Sequence, residues 1–141
     1  MSIAFRKASA LNISVKFERA LSHCLPYPPA HFDRAVSSLF FHHLTRDSKV
    51  RTAQELFRVL KPGAELHVAD WGRATNVVMR GLFVFIQLLD GFENTRDNVA
   101  GKLVTLFEQV GFIEVAERQS FSTIFGTMVL YSAIKPRGQL T

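Results

Sequence analysis

Apolar residues along this chain follow two rhythms, one of helices and one of strands, and the rhythm changes at Asn, Pro and Gly. Ile3, Ala4, Ala8 and Leu11 share one side of a helix predicted over residues 2–11, and Asn12, which tolerates a left-handed backbone, ends it. Ile13, Val15 and Phe17 then alternate with Ser14, Lys16 and Glu18, the period of a strand with one buried face. After the turn-forming residues 32–34, Ala35, Val36, Leu39 and Phe40 make a short apolar run, expected to be a strand buried on both faces of a parallel sheet. Val50, Ala53, Leu56, Phe57 and Leu60 recur at helical spacing. Either Thr45 or Asp47 caps that helix, and Pro62-Gly63 stops it. Residues 64–69 return as a second strand, parallel to the first through a right-handed crossover. Residues 32–71 therefore predict a βαβ unit.

The second half reads in the same way. Residues 77–89 are apolar over most of a helix surface, with Arg80 and Gln87 as interruptions, so this helix must be buried or face a partner. Residues 91–98 are polar and predict a loop. Val99, Leu103, Leu106, Phe107 and Val110 mark an amphipathic helix with Gly111 at its C-cap. Residues 112–118 and 127–133 predict an antiparallel hairpin, turning between Gln119 and Thr123, before a tail that begins at Pro136.

Composition narrows the class. A chain of 141 residues with 48% hydrophobic content and 13 Phe can bury a sizeable single core. One cysteine, Cys24, excludes a disulfide framework or a cysteine metal cluster, and a reducing cytoplasm is the expected location. No run reaches the roughly 18 apolar residues of a membrane span. The net charge of +5 is spread over single cations and the aromatic residues lie inside apolar runs, a pattern that argues against a nucleic-acid partner.

The segment FDRAVSSLFFHHL, followed by ELFRVLKPGAELHVADW, is similar to the fourth and fifth strands of class I S-adenosylmethionine (SAM) dependent methyltransferases, in the small-molecule branch with a strand-end His-His-Leu and a Leu-x-Pro-Gly turn. The resemblance continues through ENTRDNVAGKLVTLFEQVGF and FGTMVLYSAIKP. It implies an α/β fold: a partial Rossmann-like sheet with family strands three, four and five parallel, a closing antiparallel hairpin of strands six and seven, and flanking helices. These form one domain over residues 1–136, with 137–141 as a tail. Compared with the family, residues 2–11 match the end of the helix after the second strand, and residues 13–17 the third strand. Met1 then falls inside a family element, and the expectation is a truncated reading frame, a fragment or an internal start.

The resemblance also implies a site. His43 and Asp70 are the catalytic candidates. Ser22, His23, Ser38, Leu39 and His42 are cofactor-wall candidates, and Trp71 walls the acceptor. Asp70 could equally cap the next helix, and Trp71 could be a core residue. The loop over residues 19–29 matches the family loop whose carboxylate meets adenine, with Leu21 or His23 at the acidic position. His42 and His43, adjacent at a strand end, should point to opposite faces, so they cannot chelate together and no metal is expected.

The family's glycine-rich turn has no counterpart in the sequence, and SAM, the implied cofactor, should bind weakly or not at all to this chain. The absence of the first two family strands leaves open edges. Either the third strand moves beside the fourth or a second copy pairs there, which predicts a homo-oligomer. The functional expectation is methyl transfer to a small-molecule acceptor once the nucleoside-gripping half is supplied. The alternative is a non-catalytic fold remnant acting as an interaction or small-ligand module. A nicotinamide-dependent dehydrogenase is a distant third, for want of a Gly-x-Gly-x-x-Gly fingerprint.

Overall fold

A computed structural model describes residues 2–72, 102–123 and 126–138. The expected apolar helix over 77–89 and the loop over 91–98 lie outside the described residues. Helix α1 spans Ser2–Ala10, and Asn12 follows it with φ +54°, the left-handed stop its side chain tolerates. Residues 13–17, expected as a strand, form none. Ile13 is 54% exposed and Val15 46% exposed. Alternation encodes a one-sided surface but supplies no partner, and this segment pairs with no strand edge among the described residues.

Four strands make the sheet: β1 (Phe32–Ser38), β2 (Leu60–Trp71), β3 (Ile113–Thr123) and β4 (Gly126–Ile134), in the order β1-β2-β4-β3. β1 and β2 are parallel, from Arg34 opposite Glu65 to Ser38 opposite Ala69. β4 runs antiparallel to both β2 and β3. The parallel pair and the closing antiparallel hairpin are those implied by the resemblance for family strands four to seven. Several boundaries move: the helix before β2 ends at Val59 and β2 begins at Leu60, so that Pro62-Gly63 lie in the strand and not at a helix stop, and Leu39 and Phe40 lie beyond β1. The expected turn at 119–123 is strand, because the β3–β4 ladder continues to Thr123 opposite Gly126. The expected turn at 32–34 is also strand, with an irregularity between Phe32 and Arg34.

Helix α2 (Arg46–Val59) joins β1 to β2, and Thr45 caps it by accepting the Ser48 N–H. Helix α3 (Leu103–Val110) ends at Gly111, whose φ of +112° completes the predicted C-cap. Both helices contribute to one core, with Leu66 and Val68 of β2, Val129, Tyr131 and Ala133 of β4, and the edge-to-face pair Phe41–Phe107 at 5.5 Å. Phe41 and Phe107 are fully buried, and each such side chain contributes about 1.5–3 kcal/mol.

β1 is not buried on both faces as its apolar run predicts. Val36 is 74% exposed, since it points away from α2 and α3 on the sheet face that also carries His67 and Glu65. The loop between α1 and β1 lies along α2. Ser22 Oγ bonds Thr52 Oγ1 at 2.9 Å, the Leu25 N–H donates to Glu55 at 2.7 Å, and Arg58 donates to the Tyr27 carbonyl at 2.8 Å. No helix among the described residues is long and apolar enough to cross a membrane.

Candidate functional site

The carboxyl ends of β1 and β2 meet at one buried group. Asp70, next to last on β2, has no solvent exposure. Its Oδ2 accepts the N–H of Phe41 at 2.7 Å, with those of Phe40 and His42 further out at 3.2 and 3.4 Å. Its Oδ1 accepts the Trp71 N–H at 2.8 Å and faces His42 Nδ1 at 2.7 Å. The carboxylate thus caps the short 3-10 turn Phe41–His43, which directly follows β1 and lies nearly thirty residues before Asp70 in sequence. A carboxylate at the start of a turn meets N–H groups that have no other acceptor, so the bond anchors the crossing from β1 into α2.

Leu39 makes that crossing sharp. Its φ is +50°, a left-handed conformation that costs a non-glycine residue roughly 1–2 kcal/mol, while its N–H stays on the ladder through the Ala69 carbonyl at 2.8 Å. The charge-assisted bonds to Asp70 offset the strain. An apolar run with a turn inside it carries no sequence signal for either feature. This turn also corrects the expected geometry of the histidine pair. His42 and His43 are not on an extended strand, and their ring centroids lie 3.9 Å apart with a 44° tilt.

The proposed site residues fall into three places. Ser38, Leu39 and His43 are exposed at the strand end, with Phe40 and half-buried Trp71 beside them. His42 and Asp70 lie just inside, and His42 is 4% exposed. Ser22 and His23 are elsewhere, on the flank of α2. Ser22 bonds Thr52, which sits roughly two turns below the start of the helix, and His23 is exposed to solvent. Cys24 is exposed beside them. The pairing of Asp70 with His42 was absent from the expected roles, because no spacing rule links residues that only a β1–β2 ladder brings together.

Tyr131 of β4 is 2% exposed, and its hydroxyl has no hydrogen-bond partner among the described residues. Burial first, then the charges of Glu117 and Asp70, push its ionisation well above the ordinary phenol range, so it remains neutral. A Cβ on Gly72 would lie 3.2 Å from this hydroxyl and collide with Val129 Cγ2, so the end of β2 requires glycine here.

A cleft of 330 Å³ lies apart from these residues, between the first turns of α2 and α3, lined by Val50, Leu103 and Leu106 with Arg46 and Lys102 at its rim.

Comparison with known proteins supplies the context for this geometry. A family profile described as "Methyltransferase domain" matches residues 1–63. The ubiquinone/menaquinone biosynthesis C-methyltransferase UbiE of Pseudomonas entomophila is 30% identical over 93 residues, covering 65% of this chain and 33% of that protein. Its Azotobacter vinelandii counterpart is 29% identical over 92 residues with the same coverage. The chain therefore spans about a third of the length of the curated relatives it matches.

A SAM-dependent methyltransferase from Methanosarcina mazei superposes with a TM-score of 0.72 at 20% identity, over 97% of this chain and 79% of that one. The YcgJ protein of Bacillus subtilis gives 0.73 at 14% identity, over 97% and 78%. A Haemonchus contortus N-methyltransferase solved with S-adenosylhomocysteine gives 0.60 at 12%, over 82% and 36%.

Holding ribose and adenine needs outward-facing acceptors, and among the described residues Asp70 accepts from Phe41, Trp71 and His42 on both oxygens while Ser22 Oγ is bonded to Thr52.

Proposed function

We propose, from the chain's likeness in sequence to methyltransferases and its likeness in fold to SAM-dependent ones, that it forms the acceptor-side wall of a methyl-transfer site for a small molecule. The strand-end cluster carries this reading. Asp70 pins the Phe40–His42 turn against the end of β2, so Ser38, Leu39, His43 and Trp71 border one surface at the carboxyl edge of the parallel pair. Ligands of open α/β sheets bind at that edge. SAM, when bound, supplies an activated methyl group. The residues of this chain orient the acceptor and exclude water.

Residues 1–141 alone bind SAM weakly or not at all in this reading, because the outward-facing groups of a nucleoside grip are absent from the described wall. The relatives' role in ubiquinone and menaquinone biosynthesis, together with exposed Leu39 and Phe40, favours an apolar ring compound as acceptor. The reading takes the reducing cytoplasm as its setting. Calorimetric titration with SAM and S-adenosylhomocysteine tests it. The expected result is no saturable heat at micromolar concentrations, whereas tight one-to-one binding would overturn it.

One observation favours a second reading, a non-catalytic module that assembles with a second copy. β1 has β2 as its sheet neighbour, no described strand on its other edge, and Val36 exposed on its face. An open edge of this kind invites pairing. Sedimentation that shows a monomer at every concentration would remove this reading, and a dimer disrupted by Val36→Asp would support it.

A further inference from the structure

We propose that the open edge of β1 takes residues 13–17 of a second copy as an added antiparallel strand, with Ile13 opposite Val36, and that two copies make this exchange reciprocally. The inference rests on the self-assembly reading and names the contact within it. Two features of the chain suit each other. Residues 13–17 alternate as a strand but pair with no edge among the described residues, and Ile13 and Val15 are exposed. β1 is an outer strand of the sheet with β2 on one side, and Val36 stands out to solvent. An extended segment laid on such an edge gains main-chain hydrogen bonds, and exchange of identical segments is a low-cost route to a dimer.

The segment is anchored on either side within its own copy. The Ile13 N–H donates to the Ala8 carbonyl at 3.0 Å where α1 stops, Glu18 meets Lys16 and accepts from the Tyr27 hydroxyl, and Ser22 Oγ is held on Thr52 at 2.9 Å. So anchored, it does not lie on its own β1. The other outer strand, β3, is a poorer template. Its ladder to β4 is irregular between Ile113 and Ala116 and again between Glu117 and Gln119, Glu114 has a φ of +52°, and Glu117 and Arg118 are exposed. Breaks and charges of this kind blunt an edge, whereas β1 pairs without a break from Arg34 to Ser38.

Charge fixes the register. With Ile13 opposite Val36, Lys16 of one copy lies opposite Asp33 of the other, and both side chains are largely exposed. Each already meets an opposite charge in its own chain, Glu18 and Lys61, so the added contact extends an alternating set. Sliding the segment two residues one way sets Glu18 against Asp33, and two residues the other way sets Ile13 against Arg34. The favoured register also brings the end of α1 of the second copy beside Ser38, so that copy borders the strand-end surface.

Cross-linking tests this in a Cys24→Ser background, since Cys24 is exposed and is the single cysteine. Chains carrying Ile13→Cys are refolded together with chains carrying Val36→Cys and oxidised, with sedimentation run alongside. Opposite residues of antiparallel strands come close enough for a disulfide. The expected product is a covalent dimer of one chain of each kind, in about tenfold excess over either chain joined to itself, because paired thiols meet at a high effective concentration. Should either chain fail to fold, Val15→Cys with Arg34→Cys probes the same register. Val36→Cys chains joined to one another, or a dimer in sedimentation with no mixed product, overturn the proposal and leave the self-assembly reading standing. A monomer that closes an internal disulfide when one chain carries both substitutions overturns it too. A monomer at every concentration removes the self-assembly reading, and this proposal with it.

Discussion

Asp70→Ala is the substitution whose cost the structure specifies best. The side chain has no solvent exposure, and its loss removes the acceptor for the Phe41 and Trp71 N–H groups and for His42 Nδ1. Each stranded buried donor costs about 1–3 kcal/mol. Water entering the space left behind limits the sum to about 3–5 kcal/mol, the usual cost of breaking a buried charged contact from one side. At a urea slope of about 2 kcal/mol per molar, a loss of about 4 kcal/mol lowers the unfolding midpoint by about 2 M.

Glu65→Ala is the control. Its carboxylate also meets an imidazole and a cation, His67 and Arg34 at 2.8 Å each, but on a side chain 41% exposed, and solvent screening limits the change to about 1 kcal/mol or less. His42→Ala combined with Asp70→Ala should cost less than the two alone added together, since they share one contact. A midpoint drop below about 0.5 M for Asp70→Ala would refute the view that this carboxylate anchors the turn.

Three further outcomes follow from other contacts. Lys135→Met should lose about 1–3 kcal/mol in the same urea assay, because Lys135 Nζ donates to the Phe57 and Leu60 carbonyls at 2.7 and 2.8 Å where α2 ends. Gly72→Ala should cost about 1–3 kcal/mol by thermal unfolding, since the new Cβ must displace Val129, while Gly138→Ala, with open space around it, should be neutral. Glu55→Gln should destabilise by about 1–2 kcal/mol at neutral pH. The hydrogen bond from Arg58, with help from the Leu25 N–H, holds the Glu55 carboxyl below its ordinary range. A carboxylate with a depressed folded-state value stabilises above its unfolded value and loses that contribution as pH falls through the folded one. The gap between wild type and Glu55→Gln should therefore narrow as pH drops below the ordinary carboxylate range, and a gap that widened there would exclude this account.

The periodic signals were legible wherever a residue's neighbours in sequence determine its conformation. Val50, Ala53, Leu56 and Phe57 follow the 3.6-residue period of α2, Thr45 supplies the cap, and Gly111 adopts the left-handed φ on which the end of α3 depends. The ordered motifs from FDRAVSS to FGTMVLYSAI carried the strand order as well, through their likeness to a known family. For the helices and their caps, the determining interactions lie within a few residues along the chain.

What tertiary structure alone decided has the opposite character. Ile13, Val15 and Phe17 alternate as a strand should, yet a strand exists only where another edge accepts its hydrogen bonds, and no described edge does so. No local reading places Asp70 at the turn after β1, yet the parallel register of β1 and β2 delivers it there. That same register brings His42 onto the carboxylate, and the turn brings two histidines, expected on opposite faces, into a tilted contact with ring centroids 3.9 Å apart. Local spacing specifies which atoms are polar, while the partner of a buried polar atom depends on chain brought from far along the sequence, and here that partner is what gives the strand end its chemistry.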